Sequence, residues 1–201
     1  MDQSRSKKAI RQEIIKRRAA LDPLEREQNS FAAARRLLSW SKYQEAKTVL
    51  LFAGVRSEID TRFLAQESLR LGKCVAMPRC VPKSRELLLL EIESWEDLKP
   101  GFYGLLEPGP EEPCILPTAV DLIVSPGVAF SPSGYRIGYG GGYYDRLIAQ
   151  LPGVLTVGLA FQLQVVASLP RDMYDMPVDF LVTEEDLVDC RAVREKKGDV
   201  N

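Results

Sequence analysis

The chain has 201 residues, a length that favours one domain with a substantial core. Its 27 basic and 28 acidic residues give a net charge of -1, so it lacks the basic field that nucleic acid or an anionic membrane requires. Because the sequence contains no histidine, Cys/His zinc sites and Ser-His or Cys-His catalytic pairs are excluded. The four cysteines form no CxxC pair, and we interpret them as buried, reduced thiols.

The first 42 residues predict two helices, the first of them basic. Apolar side chains recur at helical spacing at Ile10, Ile14, Ile15 and Leu21. The second helix is expected after Asp22, a suitable cap, with Pro23 at its first position. This segment lacks the features of a secretory signal, and no apolar run approaches the ~20 residues of a membrane span. We therefore expect a soluble, cytoplasmic monomer without a membrane partner.

The segments that follow alternate between strand and helix. Residues 48–53 form a short apolar run, residues 61–72 have a helical period that stops at Gly72, and residues 74–79 are apolar again. Such a strand–helix–strand unit favours a parallel sheet. Further elements are expected as strands at 87–92, from Asp121, from Val154 and at 179–184, and as a helix at 142–151.

Two stretches carry no such pattern. Residues 99–117 are rich in Pro and Gly and predict a long surface excursion, whereas residues 192–201 predict a polar, frayed tail. No internal repeat or linker divides the chain. The expected fold class is therefore α/β: a single layered domain, residues 1–201, with a mostly parallel central sheet flanked by helices.

The stretch RIGYGGGYYDRL, residues 136–147, places four glycines within five positions between a predicted strand and a predicted helix. A glycine-rich turn that enters a helix gathers backbone N–H groups around one point, and the missing Cβ atoms let an anion approach. The spacing matches neither the P-loop pattern nor a convincing dinucleotide fingerprint. The residues alone leave two interpretations open, a phosphate cradle or a tight strand-to-helix corner.

The flanks of this glycine loop carry charge and aromatic rings. Asp145 could complement the dipole of the following helix or hold Mg²⁺ against phosphates. Arg136 and Arg146 could bind phosphate or be solvated surface arginines. Tyr143 and Tyr144 are more often packing residues than ligands, but one of them could stack on a planar ring.

Six segments, read in chain order, resemble one known family. They are KKAIRQEIIKRR (7–18), SEIDT (57–61), MPR (77–79), YGLLEP (103–108), the stretch 121–147 and MPVDFLVTE (176–184). Jointly they resemble 5-formyltetrahydrofolate cyclo-ligase, also called 5,10-methenyltetrahydrofolate synthetase. The resemblance implies that ATP and Mg²⁺ drive cyclisation of 5-formyltetrahydrofolate, which can carry a polyglutamate tail, to 5,10-methenyltetrahydrofolate. It further implies phosphorylation of the formyl oxygen, attack by nitrogen 10, and release of ADP and phosphate.

The resemblance also implies a role for particular residues. ATP would be bound by Lys7, Lys8, Ala9, Ile10, Arg11, Ile137, Gly138, Tyr139, Gly140, Gly141, Gly142, Tyr143, Tyr144 and Asp145. The folate would be bound by Ala53, Glu58, Tyr103, Gly140, Gly141, Gly142, Tyr143 and Tyr144. Catalysis would fall to Arg136, Tyr144 and Asp145, and the metal to Asp145 and Asp179.

Each of these roles has a structural alternative. The cations near the N-terminus could form a solvated helix face, Glu58 could cap a helix, Tyr103 could anchor a loop, and Asp179 could simply precede a strand. The chain also departs from the family pattern at two positions. Gly141 stands where some relatives carry a basic residue, so Lys8, Arg11 or Arg136 would have to meet the phosphate charge. Ser131 stands where an acid is common, which predicts a weaker cap for the turn before Gly134.

Two other functions compete with the cyclo-ligase. A small-molecule kinase of another kind would share the phosphate cradle but stop at a phosphorylated product. A binding module would retain nucleotide or folate without turnover, and its expected signature is damage to Asp145, Glu58 or the glycines. None of these residues is lost, so the sequence favours an enzyme.

Overall fold

The computed structural model describes residues 6–198, apart from the side chains of Tyr103 and Lys197. The helices within this range are α1 (Lys7–Ala19), α2 (Pro23–Ser39), α3 (Ser41–Glu45), α4 (Arg62–Arg70), α5 (Tyr143–Ala149) and α6 (Cys190–Lys197). The strands are β1 (Thr48–Leu50), β2 (Cys74–Val81), β3 (Glu86–Ile92), β4 (Leu98–Pro100), β5 (Leu106–Pro108), β6 (Cys114–Ile115), β7 (Leu122–Ser125), β8 (Ala129–Phe130), β9 (Arg136–Ile137), β10 (Leu155–Leu159), β11 (Phe180–Val182) and β12 (Leu187–Asp189).

Eight strands form the central sheet, in the order β12-β11-β10-β7-β1-β2-β3-β6. The five inner strands, from β11 to β2, are mutually parallel, and the outer pairs are antiparallel. The chain adds β2 on one side of β1 and then β7 on the other. Ligands of open α/β sheets bind in the crevice beyond the carboxyl ends of the strands at such a reversal. The expected α/β fold with a mostly parallel sheet is confirmed, and its reversal lies between β1 and β7.

Alternate residues of β1 bury opposite faces of the sheet. Val49 and Leu51 belong to an apolar cluster that includes side chains of α2 and α4. Leu50 points the other way, into a cluster with Leu147 and Ile148 of α5. Because successive side chains of a strand alternate and both faces here are covered by helices, the residues from Val49 to Leu51 are all apolar and buried.

Helix α1 packs outside the sheet, against the β8–β9 hairpin. Ile10 and Ile14, one turn apart on one helix face, are buried with Val128, Ala129 and Ile137. Strand β9 runs directly into the glycine loop. The apolar stripe of α1 therefore holds the basic helix beside that loop. No helix among residues 6–198 combines the length and the apolar character of a membrane span.

Several sequence-based boundaries differ from the structure. Strand β1 ends at Leu50 rather than at residue 53, and the predicted excursion at 99–117 contains the β4–β5 hairpin and edge strand β6. The short helix α3, the β8–β9 hairpin and strand β12 were not predicted. The predicted frayed tail is wrong as far as residue 197, because Asp189 caps α6 through the backbone N–H groups of Arg191 and Ala192. Residues 199–201 of that tail lie outside the described range.

Gly158 allows close packing in the centre of β10. An added Cβ there would lie 2.5 Å from the buried ring of Phe130 and 3.1 Å from Leu181. Gly158→Ala should therefore lower the free energy of unfolding by about 1–3 kcal/mol, as measured by urea denaturation. Gly138→Ala is the control, because a Cβ at Gly138 would have no neighbour within 4 Å. Equal unfolding midpoints for the two variants would contradict this account.

Candidate active site

The glycine loop is open on the side of Gly138. Gly140 and Gly142 have φ values of 100° and 67°, in the left-handed region that favours glycine, and this fits the tight-corner interpretation. Gly138 has neither a positive φ nor a neighbour within 4 Å of its missing Cβ. Chain geometry therefore does not account for glycine at position 138. The space beside the backbone at this position is open.

Arg136 and Asp145 form a buried support beneath the loop. The Asp145 Oδ1 atom accepts hydrogen bonds from Arg136 Nη2 at 3.0 Å and from the backbone N–H of Met176 at 3.1 Å. Burial lowers the pKa of the Arg136 guanidinium, and the Asp145 charge opposes that shift. The Asp145 side chain stays 29% exposed. Arg136 is thus an interior residue that fixes one carboxylate oxygen of Asp145, and not a solvated surface arginine.

Arg146 binds main-chain oxygens. Its guanidinium donates to the carbonyl of Gly141 at 2.7 Å and to the carbonyl of Arg85 at 2.7 Å. It also lies 5.6 Å from the ring centroid of Tyr143. These contacts tie the glycine loop to the turn between β2 and β3, so Arg146 braces the loop.

The residues of α1 that were predicted to bind ATP lie in four different environments. Arg11 reaches the loop, since its Nε donates to the carbonyl oxygen of Gly138 at 2.7 Å. Lys7 donates to Asp172 at 2.7 Å and to Asp175; burial alone would lower its pKa, but these two carboxylates raise it. Lys8 and Ala9 are exposed, and Ile10 and Ile137 are buried together in the apolar cluster.

Glu58 lies in the segment between β1 and α4, close to the reversal of the sheet. Its Oε2 accepts the backbone N–H of Val55 at 3.0 Å, and its side chain is only 7% exposed. Burial raises the pKa of this carboxyl, while the Val55 N–H, the Arg18 charge and the Tyr139 hydroxyl oppose the shift. Pro126 and Gly127, which follow β7, line the same narrow crevice. Glu58 does not cap α4 through its side chain, because Asp60 accepts the N–H of Arg62 instead.

Two buried polar atoms of the described residues have no hydrogen-bond partner, and they are Glu58 Oε1 and Tyr144 Oη. Burial raises the pKa of Tyr144, with the Cys80 thiol and the Glu58 carboxylate acting in the same direction and Arg136 against it. Buried polar groups are almost always paired, and leaving one unpaired costs about 1–3 kcal/mol. Glu58 Oε1 is thus a free acceptor and Tyr144 Oη a free donor, two groups with which a polar ligand could be bound.

Arg18 joins the two halves of this site. Its side chain is 2% exposed and donates to the Ser57 hydroxyl at 3.2 Å and to the Tyr139 hydroxyl at 2.7 Å. The sequence analysis assigned Arg18 no role. A signal existed, however, because Arg18 continues the stripe of Ile10 and Ile14 at the next helical turn, and that position is buried.

Other predicted residues lie apart from this arrangement. The Asp179 Oδ2 atom accepts the N–H and the hydroxyl of Thr156, each at 2.9 Å, and Oδ1 is 3.9 Å from Arg194. Asp179 lines a cavity of about 410 Å³ whose lining does not include Asp145. Ala53 packs on the core at the end of β1, and the side chain of Tyr103 lies outside the described part of the chain. Within residues 6–198, no three His, Cys, Asp or Glu side chains converge as a metal cluster.

Comparison with known proteins agrees with this geometry. A model of the 5-formyltetrahydrofolate cyclo-ligase family matches residues 3–184. The chain belongs to this family. It is 33% identical over 184 residues to the 5-formyltetrahydrofolate cyclo-ligase of Haemophilus influenzae, covering 89% of this chain and 98% of that protein. It is 33% identical over 174 residues to the Escherichia coli protein of that name, covering 85% and 96%.

A solved structure of 5,10-methenyltetrahydrofolate synthetase from Aquifex aeolicus also matches, with a TM-score of 0.82 and 37% identity over 92% of this chain and 93% of that one. The predicted family and fold class are therefore confirmed, as is the prediction of an enzyme of the cyclo-ligase family.

The two departures from the cyclo-ligase pattern have visible local consequences. A Cβ at Gly141 would lie 2.6 Å from the ring of Tyr143, so a side chain there would displace that ring. The Ser131 hydroxyl contacts Ser133 Oγ at 3.0 Å and the carbonyl of Tyr135 at 3.4 Å. The turn before Gly134 thus has a serine cap of its own.

Glu58→Gln should stabilise the fold at neutral pH and weaken activity. The pKa of Glu58 is raised in the folded state, so the Glu58 carboxyl loses its proton at a lower pH in the unfolded chain than in the folded one. The free energy of unfolding therefore falls as the pH rises from the ordinary carboxyl pKa to the raised pKa of the folded state. The variant lacks this titration. Its free energy of unfolding should exceed that of the parent at about pH 8 and match it near pH 4, below the ordinary pKa.

Glu67→Gln is the matched control for this prediction. The exposed Glu67 carboxylate pairs with Arg70, which lowers its pKa, so removing its charge should give no gain at neutral pH. Chemical denaturation at the two pH values measures both variants. A Glu58→Gln protein that is less stable than its parent at pH 8 would show that the Glu58 charge stabilises the fold.

Proposed function

We propose that this protein is an ATP- and Mg²⁺-dependent 5-formyltetrahydrofolate cyclo-ligase, which forms 5,10-methenyltetrahydrofolate, ADP and phosphate. Family membership supports the folate conversion itself. One observation carries the finer proposal: the open glycine loop and the buried Glu58 carboxylate lie at the same end of the sheet and contact one side chain, Arg18. Direct phosphoryl transfer between two substrates requires such neighbouring sites.

In this proposal the folate binds at the sheet reversal, where the narrow crevice beside Glu58 would have to open to admit the pterin ring. Glu58 Oε1 accepts hydrogen bonds from the amino and ring N–H groups of the pterin, and the Tyr144 hydroxyl donates to an oxygen of the same ligand. Both orphaned atoms are thereby satisfied. Ala53, Tyr103 and Tyr143 are the further folate contacts that the family resemblance implies.

The triphosphate would lie along Gly138 to Gly142, where the space beside Gly138 is free. We assign Arg11 as the cation that replaces a basic residue at position 141. Its Nη2 is 4.0 Å from the missing Cβ of Gly140, whereas Arg136 is held by Asp145. We also propose that the protein acts as a monomer.

The residues present fit a magnesium ion. Mg²⁺ binds through one or two carboxylates together with substrate phosphates and water, so a cluster of acids is not required. Asp145 offers a partly exposed carboxylate whose two recorded hydrogen bonds both fall on Oδ1. Asp179 is the less suited of the two predicted ligands, since its oxygens already contact Thr156 and Arg194. When bound, the ion would neutralise charge on the phosphates.

The proposed chemistry needs no protein nucleophile, which accords with a chain that lacks histidine. A formamide carbon is a poor electrophile, and its oxygen is a poor leaving group. Transfer of the γ-phosphoryl group of ATP to the formyl oxygen gives ADP and an activated carbon. Nitrogen 10 of the same folate then forms a bond to that carbon and gives up its N–H proton, the carbon–oxygen bond breaks, and phosphate leaves with the oxygen and the proton. Because this attack is intramolecular, positioning by the protein supplies much of the acceleration.

Incubation of the purified chain with 5-formyltetrahydrofolate, ATP and Mg²⁺ tests the proposal. Cyclisation produces the near-ultraviolet absorbance of the methenyl product and equimolar phosphate. Omission of ATP or addition of EDTA should abolish both signals. ADP release without the absorbance would instead indicate a kinase, and binding of either ligand without turnover would indicate a binding module.

Gly138→Ala should impair ATP use without impairing folding. The added methyl group projects into the space assigned to phosphate but meets no protein atom within 4 Å. We expect the KM for ATP to rise by roughly tenfold or more, about 1.4 kcal/mol, with an unchanged melting temperature. Gly72→Ala is not a suitable control, because the φ of 74° at Gly72 would strain an alanine. Ala149→Gly, at the exposed end of α5, is the control. An unchanged KM for ATP would show that the phosphates do not bind on this side of the loop.

Asp145→Asn should lower kcat by on the order of 10²-fold while preserving the fold, because the amide oxygen can still accept from Arg136 and Met176. Asp145→Ala lacks that acceptor and leaves the buried Arg136 with the Met176 carbonyl but without its carboxylate, so it should also lose about 1–3 kcal/mol of stability. Steady-state rates across a Mg²⁺ titration and thermal melts separate the two effects. Full activity of Asp145→Asn would assign Asp145 a purely structural role.

A further inference from the structure

We infer that Arg18 is a positioning residue that couples binding at Glu58 to binding at the glycine loop, an inference that rests on the proposed function. The guanidinium contacts Ser57 and Glu58 on one side and Tyr139 on the other. Ser57 and Glu58 follow β1, whereas Tyr139 follows β9. Arg18 therefore bridges two segments that bind different substrates in the proposal.

The position of Arg18 is rigidly determined. It lies seven residues, or about two helical turns, after Arg11 and thus on the same side of α1. Arg11 is attached to the Gly138 carbonyl at 2.7 Å, and the apolar stripe of Ile10 and Ile14 holds the helix against the β8–β9 hairpin. With 2% of its side chain exposed, Arg18 cannot leave its partners for solvent.

Three different nitrogens of the guanidinium make the three contacts. Nε donates to Ser57 Oγ at 3.2 Å, Nη2 donates to Tyr139 Oη at 2.7 Å, and Nη1 lies 3.7 Å from Glu58 Oε1. Because the guanidinium is planar, a movement of either segment turns the plane and alters the contacts with the other segment. A lysine ammonium has the same charge but cannot reproduce this geometry.

The gap at Glu58 makes the bridge responsive to a ligand. Glu58 Oε1 has no hydrogen-bond partner, and its separation from Nη1 exceeds hydrogen-bond distance. A ligand that donates to Oε1 holds Glu58 in place, and through Arg18 it also holds Tyr139 and the loop. A nucleotide then meets a loop that is already positioned, so each substrate should tighten the other. Linkage requires the factor to be the same in both directions.

The ratio of two dissociation constants tests this inference. The full chain is titrated calorimetrically with a non-hydrolysable ATP analogue and Mg²⁺, with and without saturating 5-formyltetrahydrofolate. We expect the folate to tighten nucleotide binding by about 5-fold or more in the parent chain. Arg18→Lys and Tyr139→Phe should bring this ratio close to one. Arg17→Lys, the same chemical change at an exposed neighbour, should keep the ratio of the parent.

The ratio separates positioning from a merely structural role, because general destabilisation would weaken binding equally in both titrations. Should Arg18→Lys prove unfolded, Tyr139→Phe decides, since it removes one hydroxyl from a side chain that is 52% exposed. The inference is overturned if the folate does not change nucleotide binding in the parent chain, so that the ratio is one. It is also overturned if Tyr139→Phe, and Arg18→Lys where it folds, show the same ratio as the parent. Both outcomes leave the proposed function intact. If neither ligand binds the parent chain, the proposed function itself fails, and the coupling fails with it.

Discussion

The packing of Ile10 and Ile14 onto the β8–β9 hairpin is the contact on which the site depends. It places a basic helix beside the glycine loop. Arg11 of the helix contacts Gly138 of the loop, which lies 127 positions further along the chain. The same helix carries Arg18 to the carboxyl end of the sheet. An apolar contact thus fixes the position of these cations. Ion pairs on the surface would not be sufficient, because exposed ion pairs contribute little free energy.

The cations near the glycine loop perform different tasks despite their similar appearance in the sequence. Arg136 supports Asp145 from the interior, Arg146 braces two carbonyl groups, and Lys7 is bound by Asp172 and Asp175. Among these four cations, Arg11 both contacts the glycine loop and lies beside its open backbone. A site built in this way concentrates a modest positive charge where phosphate would bind, within a chain of nearly zero net charge.

The crevice at the sheet reversal contains groups that lower the stability of the fold. Burial raises the pKa of Glu58, and both its Oε1 atom and the Tyr144 hydroxyl lack partners. A fold optimised only for stability would pair these atoms or replace them with apolar groups. In the proposed function these are the groups that bind the folate, at the position where α/β sheets bind their ligands.

Local patterns in the sequence determined helices α1, α2, α4 and α5, the parallel core strands and the position of the glycine loop, since periodicity and capping depend on neighbouring residues. The order of the motifs indicated the family, and the resemblance to that family pointed to Glu58 and Asp145 as candidate carboxylates. Only the tertiary structure assigned Arg18 its bridge, turned Arg136 inward and directed Asp179 toward Thr156. Short strands such as β9 and β12 escaped prediction because two or three residues carry no period. The partner of a charged side chain is decided by contacts between distant segments, which one-dimensional patterns do not record.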